Sequence, residues 1–250
     1  MARTHSVDDY LEAIYFLATP IGEYGPVVKE APVPAARVAE MLHVTPPTAS
    51  EMLKRLEAEG LVERGPRKGP LLTQKGRAEA ERVVRHHRVI ERFLTDFMGY
   101  SAAESHVHAD ELGDAFSDEM VERLAQQLGN PDRCPHGWPV DTSHEQEENR
   151  DLRPLSALES GGARIVRLAE HDGELLLWFY EQGLVPGTEL EVLRADPAAG
   201  QLTILIDGEA FGRPYRPVWR GAIGAIRRAG RTGRRPRGRR SPAPRRRSGW

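Results

Sequence analysis

Between residues 35 and 73 the chain spells out elements in an order that few folds can accommodate. Ala35–Leu42 places Val38, Ala39 and Leu42 on one side of a short helix. Thr45 then stands as an N-cap before Pro46 and Pro47, where the first helical turn needs no backbone N–H. The helix so opened turns Ala49, Met52, Leu53 and Leu56 inward and stops at Gly60. Leu61–Arg64 and Pro70–Thr73 read as two short strands around the basic loop Gly65-Pro66-Arg67-Lys68-Gly69. A helix over residues 6–18, with Tyr10, Leu11, Ile14, Tyr15 and Leu17 on its apolar stripe, precedes them. That succession is the order of a winged helix-turn-helix.

Such a module presents its second helix to the major groove of duplex DNA. Thr45, Pro47, Thr48 and Ser50 offer small groups suited to groove and phosphate contacts. Lys54 and Arg55, with Arg64, Arg67 and Lys68 of the wing, are placed for phosphates. Glu51 either accepts from cytosine or repels DNA.

A long amphipathic helix follows over residues 74–98, apolar at Val83, Val84, Ile90, Phe93, Leu94 and Phe97. Ser101-Ala102-Ala103-Glu104 is a capping box that starts the next helix. Ser117-Asp118-Glu119 starts a third, with Val121, Leu124 and Leu128 inward and Gly129-Asn130-Pro131 as its stop. Three broad apolar faces call for a partner, and a homodimer is the expectation. Residues 131–160 read as a polar, proline-bearing linker. From residue 161 short strands take over (Ala163–Leu168, Thr188–Leu193, Leu202–Ile206, Ala222–Ile226), interrupted by one helix, Glu174–Gln182. Asp207-Gly208 marks a tight hairpin. The fold class is therefore mainly α with a small β domain. A winged helix-turn-helix (residues 1–74) is followed by a helical metal-binding and dimerisation domain (75–130), the linker, a small β-barrel (161–227) and an arginine-rich tail (228–250). The tail has no apolar pattern and is expected to be disordered.

Composition sharpens this. The net charge of −2 hides a tail, residues 227–250, with eleven arginines and no acid. The remaining residues carry 24 bases against 37 acids. An acidic body binding DNA through a local basic patch has a use for cations, which directs attention to ligands. The chain shows no transmembrane run and no signal-peptide pattern, and its one cysteine cannot form an internal disulfide, so a cytoplasmic protein with no membrane partner is expected.

His87 and Glu91 stand four apart on the long helix; His106, Asp110 and Asp114 repeat at the same interval on the next. Asp9 and Glu12 are three apart on the first helix. Imidazoles and carboxylates converging from three helices make an oxygen-rich, cysteine-free site that suits Mn(II) or Fe(II) over thiolate-bound zinc. The spacing of two between Cys134 and His136, with prolines on both sides, reads as a structural turn.

Residues 5–125 resemble the diphtheria-toxin-repressor family of iron- and manganese-dependent transcriptional regulators. The resemblance is carried by Asp9-Tyr10-Leu11-Glu12-Ala13-Ile14-Tyr15, Thr45-Pro46-Pro47-Thr48-Ala49-Ser50, Arg85-His86-His87-Arg88-Val89-Ile90-Glu91-Arg92-Phe93-Leu94 and Ser117-Asp118-Glu119-Met120-Val121. Cys134-Pro135-His136-Gly137-Trp138-Pro139-Val140 is similar to the segment after the family's dimerisation helices, and the C-terminal barrel to the SH3-like, FeoA-type domain of its long form. The resemblance implies two neighbouring metal sites. The ancillary one falls on His87, Glu91, His106 and Glu170, with Gly173 where members carry a glutamine and His171 or Asp172 available instead. The primary one falls on Asp9, Glu12 and Asp110, but Gly113-Asp114 replaces the usual Glu-His pair. Either that site uses Asp9, Glu12, Asp110 and Asp114, or the His87–Glu91–His106–Glu170 site dominates. The implied function is a metal-activated repressor of metal-homeostasis genes on operator DNA. A winged-helix regulator answering to a non-metal ligand is the alternative. No nucleophile–base arrangement adjoins the carboxylates, so neither an enzyme nor a small-molecule substrate is expected.

Overall fold

The computed structural model describes residues 5–18, 33–65, 69–168, 173–196, 201–206, 209–214 and 225–228. Its first helix, α1 (Val7–Ala18), buries Tyr10, Leu11, Ala13, Ile14, Tyr15 and Phe16. It packs on α2 (Ala35–Met41) and α3 (Pro46–Ala58) in a core that includes Val38, Ala39, Ala49 and Leu56. Thr45 caps α3, its hydroxyl accepting from the Thr48 N–H at 3.4 Å. Met52 and Leu53, expected inward, are only partly covered. The wing is a two-stranded antiparallel ribbon of β1 (Val62–Arg64) and β2 (Pro70–Leu72), with Val62 opposite Leu72. Arg67 and Lys68 lie outside the described residues. The wing root is clamped to the next helix: a Cβ on Gly76 would lie 1.8 Å from the Leu61 carbonyl oxygen, so only glycine allows that approach.

The long helix α4 (Gln74–Asp96) starts at the Thr73 cap and spans about 35 Å at 1.5 Å per residue. It ends before Phe97, which is therefore not inward-facing but 64% exposed. The Ser101–Glu104 capping box opens α5 (Ala102–Leu112), and Ser117 caps α6 (Asp118–Gln127). Part of the apolar surface of these helices is covered within the chain, by Val140 over Val89, Val121 and Ala125. Phe97, Met98, Val107 and Met120 stay exposed.

The segment 131–160 is built into the fold, with an alternation of buried and exposed residues. A tight loop at 133–139 is followed by a 3-10 turn, the helix α7 (Glu145–Asp151) and a two-residue strand, β3 (Arg153–Pro154). Cys134, His136, Trp138, Val140, Leu152, Leu155 and Leu158 are all buried.

The C-terminal sheet has the order β3-β8-β4-β5-β6-β7, with β4 at Gly161–Arg167, β5 at Glu189–Asp196, β6 at Gln201–Ile206, β7 at Glu209–Pro214 and β8 at Ala225–Arg228. Every pairing is antiparallel, and register shifts in β4 and β5 bend it. The expected barrel is not closed: among the described residues the edge strands β3 and β7 do not pair. The helix α8 (Gly173–Glu181) supplies the missing cover, inserting Leu176 and Phe179 among Ile165, Leu190, Val192 and Ile204. It also packs against α5, whose Ala103 joins the same core. Asp207-Gly208 and the tail beyond residue 228 lie outside the described residues, though Ile206 pairs with Glu209 across that turn. Among the described residues no helix is long and apolar enough to cross a membrane.

Candidate metal centre

Three elements meet at Glu91. It lies on α4, fully buried, with one carboxylate oxygen surrounded by imidazole nitrogens. Oε1 lies 2.9 Å from His87 Nε2, 3.2 Å from His106 Nδ1 and 3.1 Å from His136 Nδ1. His87 is one turn earlier on α4, His106 comes from α5, and His136 from the loop after α6. The remaining oxygen, Glu91 Oε2, is buried with no hydrogen-bond partner among the described residues. An orphaned buried acceptor of this kind costs about 1–3 kcal/mol, and a cation would satisfy it.

The proton positions show where positive charge is called for. His136 Nε2 is 2.9 Å from the Ala102 carbonyl oxygen, and a carbonyl only accepts, so Nε2 carries the proton. In the neutral ring Nδ1 then points a lone pair at Glu91 Oε1, so either a second proton or a metal ion must lie between them. His87 repeats the problem. Its Nδ1 faces Glu12 Oε1 at 3.2 Å and Asp110 Oδ1 at 3.1 Å, while Nε2 faces Glu91 and His106. Burial works against a charged His87, but Glu12, Glu91 and Asp110 overcome it and hold its pKa well above the ordinary value. Burial likewise opposes ionised Glu91, and His136, His87 and His106 outweigh it, keeping the carboxyl well below the usual range. Asp110 is lowered too, its burial offset by the His87 hydrogen bond.

Two ligand groups emerge, Glu91–Cys134–His136 and His87–His106–Asp110, the donor atoms of each within 4.8 Å of one another. An ion with bonds of roughly 2.0–2.3 Å needs only a small contraction of either set. The first group sets a cysteine beside residues expected to form a cysteine-free centre. Cys134 is buried, and its Sγ lies 4.0 Å from His136 Nδ1. The loop does make a turn, as its prolines suggest: the Gly137 N–H donates to the Cys134 carbonyl at 3.0 Å, and the Cys134 N–H to the Trp138 carbonyl at 2.8 Å. That turn is what aims both side chains at Glu91. The readable signal was a Cys-Pro-His run followed by Trp138 and Val140 in an otherwise polar stretch.

Other expected ligands are placed less directly. Asp9 accepts from the Ser6 N–H at 2.8 Å and lies 3.2 Å from His5 Nδ1, closing the start of α1. With Glu12, His87 and Asp110 it lines a small cavity of about 20 Å³, which Gly113 and Asp114 also border. Asp114 is not on the α5 face: α5 ends at Leu112, and the exposed Asp114 sits on a 3-10 turn, Gly113–Ala115, because glycine weakens the helix there. Glu170, His171 and Asp172 lie outside the described residues.

Of the residues expected to face DNA, Thr45 at the cap of α3 and Pro47, Thr48, Ser50, Glu51 and Lys54 along it are exposed. Two arginines already hold acids: Arg55 is 2.8 Å from Glu59, and Arg64 is 3.0 Å from Glu57.

Three family profiles match the chain: "Iron dependent repressor, N-terminal DNA binding domain" over residues 3–70, "Iron dependent repressor, metal binding and dimerisation domain" over 73–141, and "FeoA domain" over 153–214. The iron-dependent repressor IdeR of Mycobacterium leprae is 35% identical over 189 residues, covering 69% of this chain and 80% of that protein. The diphtheria toxin repressor of Corynebacterium efficiens is 34% identical over 169 residues, covering 63% and 74%. Among solved structures, the manganese regulator SloR superposes with a TM-score of 0.72 at 31% identity, covering 91% of this chain and all of that one. A manganese-dependent transcriptional repressor in complex with manganese gives 0.73 at 29% identity, covering 89% and 100%.

Proposed function

This chain belongs to the iron-dependent repressor family, and on that premise we propose that it is a metal-gated transcriptional repressor that binds operator DNA as a homodimer. The observation that carries the reading is the convergence on buried Glu91 of imidazoles from α4, α5 and the 134–138 loop, with a cysteine beside them. Mn(II) or Fe(II) would supply there the positive charge that the facing acceptors lack. Glu91, Cys134 and His136 would hold one ion. His87, His106 and Asp110, with Glu12 and Asp9 of α1 beside them, would hold a second. Glu170, which the resemblance groups with His87, Glu91 and His106, stays a candidate ligand.

The coupling to DNA follows from α1. Its Glu12 reaches His87 on α4, while its Tyr10, Leu11 and Ile14 belong to the core that supports α3. A ligand set spanning α1, α4 and α5 therefore fixes where the recognition helix stands. The ion favours that arrangement over looser ones and shifts the population toward it. Thr45, Pro47, Thr48, Ser50 and Glu51 would face the groove, and Lys54, Arg55, Arg64, Arg67 and Lys68 the phosphates. Exposed Phe97, Met98 and Met120 on the helical domain are available to a second copy.

The test is fluorescence anisotropy on a duplex selected from a random library in the presence of Mn(II). Binding should tighten at least tenfold with Mn(II) or Fe(II) relative to chelator, within the range common for such coupling. Equal affinity with and without metal overturns the proposal.

A further inference from the structure

Outside the metal clusters, the most deeply buried charges form one connected set. Arg88 follows His87 on α4, is fully buried, and donates through Nη1 to the Pro139 carbonyl at 2.7 Å and to Glu145 Oε1. Glu145, the first residue of α7, is 2% exposed, and its other oxygen accepts from the Tyr15 hydroxyl of α1 at 2.9 Å. The Arg88 guanidinium also lies 5.3 Å from the centre of the Trp138 ring, with Arg167 of β4 at 4.6 Å. Glu148, three residues after Glu145, accepts from Arg167 and Arg133.

Resting on the function proposed above, we propose that Arg88, Glu145 and Tyr15 are positioning residues through which occupancy of the Glu91–Cys134–His136 cluster is felt by α1 of the DNA-binding domain. Trp138 and Cys134 belong to one turn, joined by the Cys134 N–H to Trp138 carbonyl bond. Any adjustment of Cys134 and His136 toward an ion moves Trp138 and Pro139 against Arg88. Arg88 transmits it to Glu145, and Glu145 to Tyr15.

The geometry on α1 gives this linkage its leverage. Glu12 and Tyr15 are three residues apart on one face, and they reach separate elements, Glu12 at His87 of α4 and Tyr15 at Glu145 of α7. Apolar packing on Ala80 and Val84 holds α1 against α4 without directional preference, whereas two buried polar ties to different elements set its register. A third tie, Asp8 to Arg82, is more than a third exposed and correspondingly weak. Burial, followed by the Glu145 charge, raises the Tyr15 pKa, so the hydroxyl stays protonated and remains a donor. Stability alone is a poor reason for such a set, because a buried ion pair gains little over apolar packing; its directionality is what an apolar contact lacks.

Tyr15→Phe removes one oxygen, and Glu145→Gln removes the charge while keeping the side-chain shape. Mn(II) affinity by calorimetry should stay within about twofold of wild type, and metal-free DNA affinity should be unchanged. The ratio of metal-free to Mn(II)-loaded dissociation constants, on the selected duplex, should fall about tenfold, and the double variant should add little more. A purely structural role would weaken binding with and without metal alike, and that result overturns the inference. So does an unaltered ratio in folded Tyr15→Phe, which also serves alone should Glu145→Gln fail to fold. Wild-type protein with no metal response refutes the proposed function, and this linkage falls with it. A responsive wild type whose ratio Tyr15→Phe leaves intact refutes the linkage alone.

Discussion

Gly137→Ala tests whether the loop carrying Cys134 and His136 is held in place by its fit against β4. Gly137 has φ +87, a backbone state that costs an alanine about 1–2 kcal/mol. The added Cβ would also lie 2.0 Å from the Val166 carbonyl oxygen and 3.2 Å from Pro186 Cβ. An ordinary carbon–oxygen contact is about 3.3 Å, so the turn has to retreat by roughly 1.3 Å. Two buried hydrogen bonds flank the clash: the Leu168 N–H to the His136 carbonyl at 3.0 Å, and Trp138 Nε1 to the Leu168 carbonyl at 2.6 Å. Losing both adds about 2 kcal/mol at roughly 1 kcal/mol each. The docked loop is then disfavoured by about 3–4 kcal/mol, equivalent to a population change of a hundredfold or more.

Because Cys134 and His136 ride on that loop, metal affinity should fall by one to two orders of magnitude as the competent fraction drops. The assay is a Co(II) titration followed through thiolate-to-cobalt charge-transfer absorption, with circular dichroism to establish that the helices are retained. Gly129→Ala separates the two contributions: Gly129 has a similar φ of +74, but its Cβ would meet nothing within 4 Å. It should lose some stability and keep its Co(II) affinity. Wild-type affinity in Gly137→Ala would refute the reasoning, since the loop would then be positioned by something other than its fit to β4.

Cys134→Ser should abolish the Co(II) charge-transfer band while leaving the helical spectrum intact; with no other cysteine in the chain, a persisting band would not arise from a thiolate and would refute the assignment of Cys134 as a ligand. Glu57→Gln releases Arg64 from its 3.0 Å partner, and DNA binding at low salt should strengthen a few-fold with a log–log salt slope steeper by about one. An unchanged slope would show that Arg64 does not reach a phosphate. Burial opposes ionised Glu148, but Arg133 and Arg167 outweigh it and lower its pKa. Its contribution to stability is thus fully present above the unfolded glutamate value of about 4.3 and is lost as pH falls through the depressed folded value. The difference in melting temperature between wild type and Glu148→Gln should therefore shrink below pH 4, and a constant difference across pH 3–7 would contradict it.

What the sequence made legible is what local chemistry determines. Thr45, Ser101 and Ser117 each cap the helix they were expected to open, Thr73, read as the end of a strand, caps α4, and Gly60 ends α3 with φ +70. Periodicity found the helical stripes, and alternation found four of the C-terminal strands. It missed β7, implied only by the Asp207-Gly208 hairpin signal, and β3, which has two residues and exists only by pairing with β8 from seventy residues later. Closure of the sheet, absent among the described residues, was illegible for a related reason. Whether a bent sheet closes on itself or is covered by a helix depends on how α8 seats Leu176 and Phe179, which alternation along each strand does not encode.

The centre divides along the same line. His87 and Glu91 are a helical pair four apart, and the structure places them 2.9 Å from each other. Cys134 and His136 have no periodicity to betray them, and their aim is set from outside by Leu168, by Tyr180 of α8 bonding the Pro135 carbonyl, and by Ala102 of α5 bonding His136. Asp114 shows the converse: an interval of four from Asp110 means a shared face only if the helix persists, and Gly113 ends it. Glu91 belongs to a helical pair by sequence and to one ligand set by structure, while its Oε1 also touches His87 and His106 of the other set. One carboxylate in contact with both sets means that charge brought to either changes the field at the other. Two ions held as proposed would therefore be coupled through Glu91, whichever of them binds first.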